Sequence, residues 1–415
     1  MEQQAPQDHD RPDQATRAFR RRVFYIPGYD PIHPRRYREL YRKEGTDQAR
    51  ICGYDLALTP KTTKGPYGWH VNGQFDGRAT ESDVEVLVWS DIVRESMSNT
   101  IPATYLQLVR TAWAYIGSGA LFRLMKLRKG PMIAALYPIV FLLVQLLAAL
   151  LAAGLAAALV SRFGHWAAGL LAGAGVLVLA LRWFRSIDNK TYAYYLMHDY
   201  AFSALSGGAN PPGLEARMAE FRAAIRAALD QDFDEVLVVG HSSGAHVGVS
   251  ILSDLIRGGL PLHRPALAFL SLGQVVPMVS FLPGAHRLRA DLRYLSAREE
   301  LTWVDVTAPG DGCAFALCDP VAVTGVAPAN QRWPLVLSAA FTQTLTPARW
   351  KELRWRFFRL HFQYLCAFDA LTGADGEYDY FRITAGPQTL AARYRDRAPS
   401  GSRITRAVNR HTSLT

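Results

Sequence analysis

From Pro131 to Val160 the chain carries no charged residue, and apart from Gln145 and Pro138 the run is mostly Leu, Ala and other apolar residues. About 20 helical residues cross the hydrocarbon core of a bilayer, so this run is long enough to span with tilt to spare. After a polar break, Ser161-Arg162-Phe163-Gly164-His165, the chain is apolar again from Trp166 to Leu181 and ends in Arg182-Trp183. A soluble core seldom needs two such runs in succession. The pattern predicts a transmembrane helical hairpin over residues 131–184 rather than a buried hairpin. Trp166 and Trp183 suit the two interfaces. Gly169 and Gly173 make a small-residue face at i, i+4 that allows close helix approach, within the hairpin or in a homodimer. Arg123, Lys126, Arg128 and Lys129 precede the first run, and Arg182, Arg185 and Lys190 follow the second, whereas the connecting turn has only Arg162. The positive-inside bias therefore predicts that both flanks are cytoplasmic and free to form one domain.

The remainder is compatible with a large core, since 49% of the chain is hydrophobic and 20% charged. A formal net charge of +10 favours anionic partners. No zinc-finger spacing or aromatic-rich RNA-binding signature accompanies it, so anionic membrane is expected and nucleic acid is not. The four cysteines form no CxxC pair, and no metal, nucleotide or flavin motif appears; no metal and no cofactor is expected. No apolar run near the N-terminus could serve as a secretory signal. Residues 1–20 and 399–415 are polar and expected to be disordered. Richness in Ala, Arg and Leu suggests a bacterial inner membrane as the location.

Between these limits, 21–398, continuous apolar runs alternate with helical periodicities. Val23–Ile26, Val84–Trp89, Glu235–Val239, Ala266–Leu272 and Leu301–Val306 have the composition of strands, with further strands expected at 51–58, 69–75 and 355–360. Leu214, Met218, Phe221, Ile225 and Leu229 mark one helix face, and helices are also expected at 36–43, 245–257 and 290–299. Strands apolar on both faces, alternating with helices, predict an α/β fold with a mostly parallel sheet covered on both sides.

Gly240-His241-Ser242-Ser243-Gly244 is a G-x-S-x-G between a predicted strand and a predicted helix. A sharp turn there lifts the serine Oγ above the sheet, and the N–H of Ser243 opens a helix whose dipole favours a developing oxyanion. In this context the chain resembles the α/β-hydrolase superfamily, especially its lipases and esterases, from about Val23 to Tyr380. The resemblance implies an α/β-hydrolase fold and a triad in the order nucleophile, acid, histidine. Ser242 would be the nucleophile and His361 the base. His246, His263, His286 and His411 are badly placed on the nucleophile helix, before the acid, or in the tail. Asp311, in a Pro-Gly turn beyond a strand, is the leading acid, with Asp319 and Asp305 as competitors. The second oxyanion donor would be the N–H of Tyr29 in Ile26-Pro27-Gly28-Tyr29-Asp30, where many relatives carry His-Gly. Asp91 either faces the pocket or caps the surface.

The expected function is cleavage of a carboxylic ester or other acyl bond through an acyl-enzyme, with a lipid or apolar acyl ester as substrate. An acyltransferase would use the same triad. The other readings are a non-catalytic membrane scaffold or binding protein and, less compatible with charge-free spans, a transport subunit.

Overall fold

The computed structural model describes residues 17–97, 100–374 and 376–415. Its centre is an eight-stranded sheet in the order β2-β3-β4-β1-β5-β6-β7-β8. The strands are β1 (Phe19–Ile26), β2 (Asp55–Pro60), β3 (Gly68–Phe75), β4 (Arg78–Val86), β5 (Glu235–His241), β6 (Ala266–Leu272), β7 (Thr302–Thr307) and β8 (Leu335–Ser338). From β4 to β8 the neighbours pair in parallel, and β2 and β3 complete one edge by antiparallel pairing.

The two-residue period of the strands divides the core. Val23 and Tyr25 of β1, with Leu237 and Val239 of β5, enter one apolar cluster. Phe24 and Ile26, with Val236 and Val238, enter the other. Helix α1 (Arg35–Cys52) covers the first face through Tyr37 and Tyr41. On the second face Leu214, Phe221 and Ile225, from a helix over Pro212–Leu229, lie with Ile251 and Leu255 from another over Gly244–Arg257. The chain thus leaves β1 and β5, which are adjacent, toward opposite faces. That creates a crevice beyond their carboxyl ends, where ligands of open α/β sheets bind.

The long connection between β4 and β5 includes α2 (Ile101–Gly117), α3 (Ala120–Leu124), α4 (Lys129–Phe163) and α5 (Trp166–Ser186). Both α4 and α5 are long and apolar enough to cross a membrane, and both are mostly exposed. They pack as a hairpin. A Cβ on Gly169 would lie 1.9 Å from Ser161 Oγ and 2.6 Å from the Ala157 carbonyl oxygen, and one on Gly173 2.9 Å from the Ala153 carbonyl oxygen. Both glycines therefore serve the contact within the hairpin. Pro138 lies inside α4, which continues through it. After the hairpin come α6 (Ala193–Leu205), α7 (Pro212–Leu229) and α8 (Gly244–Arg257).

Several expectations need correction. Residues 1–16 lie outside the described residues, but the chain is already in β1 at Phe19, where Arg21 and Arg22 are buried. Their charges are matched by Glu235, Asp83 and Glu85, which come from distant parts of the chain. The segment 355–360 is not a strand: Phe357–His361 forms a short helix. The helix expected over 36–43 runs from Arg35 to Cys52, so the following strand starts later, at Asp55. The C-terminal segment 399–415 is packed rather than disordered. Ile404 bridges to Cys318, Val408 is buried, and Arg289 Nε donates to the Ser413 carbonyl at 2.7 Å.

Candidate active site

Strand β5 ends at His241, and Ser242 follows with φ of +55°. A non-glycine residue there is strained, at a cost of about 1–2 kcal/mol. Two close approaches make the turn possible. A Cβ on Gly240 would stand 2.7 Å from the Gly244 carbonyl oxygen, and one on Gly244 only 2.1 Å from that of Ile26. Both contacts exclude a side chain, so the glycines at each end of the motif are steric requirements. Ser242 N–H donates to the Leu272 carbonyl at 2.9 Å and holds the turn against β6. Ser243 precedes the first turn of α8.

Gly28, from the loop after β1, rests on the serine: a Cβ there would be 3.0 Å from Ser242 Cβ and 3.4 Å from its Oγ. Any larger residue would crowd the nucleophile candidate. Tyr29 and Ser243, the two expected oxyanion donors, border the same cavity as Ser242 and His361. This cavity encloses about 850 Å³ of empty space, part of it open to solvent.

His361 closes its short helix beside the cavity. Its Nδ1 lies 2.7 Å from Asp311 Oδ2. A carboxylate oxygen accepts, so Nδ1 carries a proton, and the neutral tautomer of this ring has its lone pair on Nε2. Tyr364 Oη donates to the same Oδ2 at 3.0 Å and accepts from Ala308 N–H at 2.9 Å. Cys313 N–H donates to Asp311 Oδ1 at 2.8 Å. Burial pushes the Asp311 carboxyl up. The charge and hydrogen bond of His361, with the Cys313 N–H and Tyr364 hydroxyl, outweigh it and hold the group below its ordinary value.

Two groups that motif reasoning missed hold His361 in place. His241 is buried against it, ring centroids 4.8 Å apart, and its Nε2–H donates to the His361 carbonyl at 3.0 Å. Burial, helped by the His361 charge, lowers His241 to about 3, which keeps it neutral. Gly273, at φ +52°, leaves room behind the ring: a Cβ there would be 3.1 Å from His361 Cε1 and 2.7 Å from Tyr364 Cε2. His241 does fall inside the motif, but nothing in its spacing signals this role. Asp199 of α6 also lines the cavity, and burial raises it to about 7 against a lowering by the His361 charge. Its place is legible only once α6 folds over the pocket.

The other candidates fall elsewhere. Asp319 caps the helix Pro320–Thr324 and accepts from Gln331. Asp91 pairs with Arg217 at 2.7 Å on the surface and does not border the cavity. Asp305 lies within β7, accepting from Ser271 Oγ at 2.5 Å. Burial pushes it up to about 8, with a smaller rise from Asp319 and a partial offset from the Ser271 hydrogen bond. Between its unfolded value, near the ordinary 3.8, and 8 the folded state holds a proton that the unfolded state lacks. Stability therefore falls as pH rises through that window. Asp305→Asn is expected to gain several kcal/mol over wild type above pH 8 and little below pH 4. Melting temperatures in detergent across this range check it; an equal change at every pH would refute it.

Asp311, Cys313 and His361 bring ligand-type atoms within 4.8 Å of one another. The carboxylate already accepts from three donors. Burial, with the charges of Asp311 and Asp199, keeps the Cys313 thiol protonated. The group is organised around the imidazole as a hydrogen-bonded unit. Comparison with family models, curated proteins and solved structures gives no match.

Proposed function

We propose that the protein is a serine hydrolase of the α/β-hydrolase type, held in a membrane by the α4–α5 hairpin, that cleaves a carboxylic ester through an acyl-enzyme. The observation that carries this reading is Ser242 at a positive φ between β5 and α8, in one cavity with a histidine whose Nδ1 is bound to a buried aspartate. Ser242 Oγ attacks the acyl carbon as His361 Nε2 takes its proton. The tetrahedral oxyanion collapses, the ester C–O bond breaks, and the imidazolium returns the proton to the leaving alkoxide. Water then attacks the acyl-enzyme by the same route, restoring the serine. Asp311 fixes the tautomer and stabilises the imidazolium. The N–H groups of Ser243 and Tyr29 are the oxyanion donors in this scheme. With an alcohol or amine in place of water, the same steps make an acyltransferase.

The hairpin and the basic residues on both its flanks support an anchor with the catalytic domain on the cytoplasmic face, as in a bacterial inner membrane. A fluorescent fluorophosphonate tests the chemistry directly, because it needs only an activated serine. Wild-type protein in detergent is expected to label, Ser242→Ala to lose all labelling, and EDTA to leave the wild-type signal intact. Absence of labelling in folded wild-type protein would favour a non-catalytic scaffold that keeps the fold.

A further inference from the structure

The two long helices are unequal. At 1.5 Å per residue, α4 with 35 residues is about 52 Å long and α5 with 21 about 31 Å. Gly173 lies opposite Ala153 and Ala157. In an antiparallel hairpin the end of α5, Ser186, therefore reaches about as far as Leu142. The segment of α4 before Leu142 extends past α5 and packs instead on α2 and α6, where Tyr105 Oη donates to the Leu142 carbonyl at 3.1 Å.

Beside this segment runs an apolar groove of about 370 Å³, part of it open to solvent, bordered by Ala112 and Ile116 of α2, Leu121 of α3, and Met132, Ala135 and Ile139 of α4. Tyr115, Tyr200 and Met278 border both this groove and the cavity of Ser242. Tyr115 Oη donates to the Met278 carbonyl at 3.0 Å, fixing the shared wall. The outer edge of α2 and α3 is apolar too. Leu106, Val109, Trp113 and Ile116 recur at helical spacing on the face away from the core, with Trp113 78% exposed, and Phe122 and Met125 continue the patch. A patch of this kind in water marks an interaction surface. Here the chain runs on from it into α4, the helix that enters the bilayer in the proposed anchor, where Ile133 and Val140 are exposed too, and the same stretch of chain exposes Arg110, Lys126 and Lys129. Exposed apolar residues that lead into a span, with cations along the same stretch, fit an anionic leaflet.

We propose that the groove between α2, α3 and the start of α4 holds the acyl chain of a bilayer lipid, and that the exposed edge of α2 and α3 sits in the same leaflet. The chain enters sideways, and the wall shared with the catalytic cavity directs its ester carbonyl toward Ser242. This rests on the hydrolase reading for the identity of the bond cleaved, but not for the binding of the chain.

Two measurements keep the two readings apart. In mixed micelles, wild-type protein is expected to turn over a hexadecanoyl ester with a kcat/KM about tenfold or more above that of the butanoyl ester, and Ala112→Phe, which fills the groove, to lose that preference. In nanodiscs of anionic phospholipid, Ser242→Ala protein with a phospholipid carrying a diazirine at the end of its acyl chain is expected to crosslink at Met132 and Ala135. Adding Ala112→Phe should abolish those crosslinks while leaving those on the outer faces of α4 and α5. Crosslinking without ester turnover would support the groove and sink the hydrolase reading. Turnover with no chain-length preference, or crosslinks at Met132 and Ala135 unchanged by Ala112→Phe, would overturn the groove.

Discussion

Ser242→Ala is expected to lower hydrolysis of an activated ester by about 10⁴-fold or more, and His361→Ala to lower it about as much. Residues that act as one unit do not contribute independently, so the double variant should be no slower than Ser242→Ala alone. Asp311→Asn is the more discriminating change. The carboxylate accepts from three donors, His361 and Tyr364 on Oδ2 and the Cys313 N–H on Oδ1. An amide has one acceptor oxygen. With that oxygen toward His361, the new NH₂ meets the Cys313 N–H. With the NH₂ toward His361, the imidazole must protonate on Nε2 and can no longer take the serine proton. Either orientation leaves a donor facing a donor. A loss in kcat of about 10³–10⁴-fold is expected, with KM little changed, because Asp311 does not border the cavity of Ser242. Steady-state rates and single-turnover bursts of the folded variants measure it. Loss in KM alone, or multiplicative losses in the double variant, would mean that these groups do not work as a triad.

Tyr364→Phe separates orientation from charge in the same network. It removes one of the three donors to Asp311 and the acceptor of the Ala308 N–H, but leaves the His361 hydrogen bond in place. A loss of roughly tenfold or less in kcat follows if the bond to His361 dominates.

The parts of the site that were legible in the sequence are those fixed by local rules. The apolar run before Gly240 and the helix after Gly244 can be read from composition and period. The turn between them permits few residue types, because Ile26 and Gly244 come within contact of each other's backbone. Asp311 was legible through its Pro-Gly turn at the end of β7. His361 stands out as the candidate base only by elimination and by order in the chain, and the strand expected before it is a short helix. What escaped was set by partners distant in sequence. His241 and Gly273 matter only because the segment around His361 folds onto them. Asp199 reaches the pocket because the inserted hairpin returns through α6. The tail resembles a disordered segment in composition, yet much of its anchoring is by backbone groups: the Ile404 N–H donates to the Leu317 carbonyl, and the Ile404 carbonyl accepts from Asp319. Backbone contacts leave little trace in side-chain chemistry. Strand β8 is only four residues long, too short for its period to register.

The start of β1 shows the same limit most sharply, and a large stability effect follows from it. Arg21 and Glu235 are cross-strand neighbours in the β1–β5 pair, and both are fully buried. Arg21 Nε donates to Glu235 Oε2 at 2.6 Å, Nη1 to the Gly386 carbonyl at 2.7 Å, and Nη2 to the Gln388 carbonyl. Glu235 Oε1 accepts the Leu390 N–H at 2.6 Å. The pair therefore ties two central strands to a segment near the end of the chain. Removing one partner leaves the other's charge without a counter-ion in a dry site, which costs about 3–5 kcal/mol. Arg21→Met is thus expected to lower the melting temperature by about 5–10 °C at pH 8. Replacing both, Arg21→Met with Glu235→Leu, should recover part of that loss, because no isolated charge remains. The pH dependence has a definite sign. Burial already pushes Glu235 above its ordinary value, against the charge of Arg21, the Leu390 N–H and the Arg21 hydrogen bond. Without Arg21 the folded carboxyl rises further and takes up a proton that the unfolded chain releases above about pH 4.5. Its stability then falls as pH rises through that window, so the deficit of Arg21→Met should shrink at pH 5 and widen at pH 8. Melting curves of the three proteins at both pH values test this. A deficit independent of pH would place the cost in the lost carbonyl contacts at Gly386 and Gln388 rather than in the stranded charge.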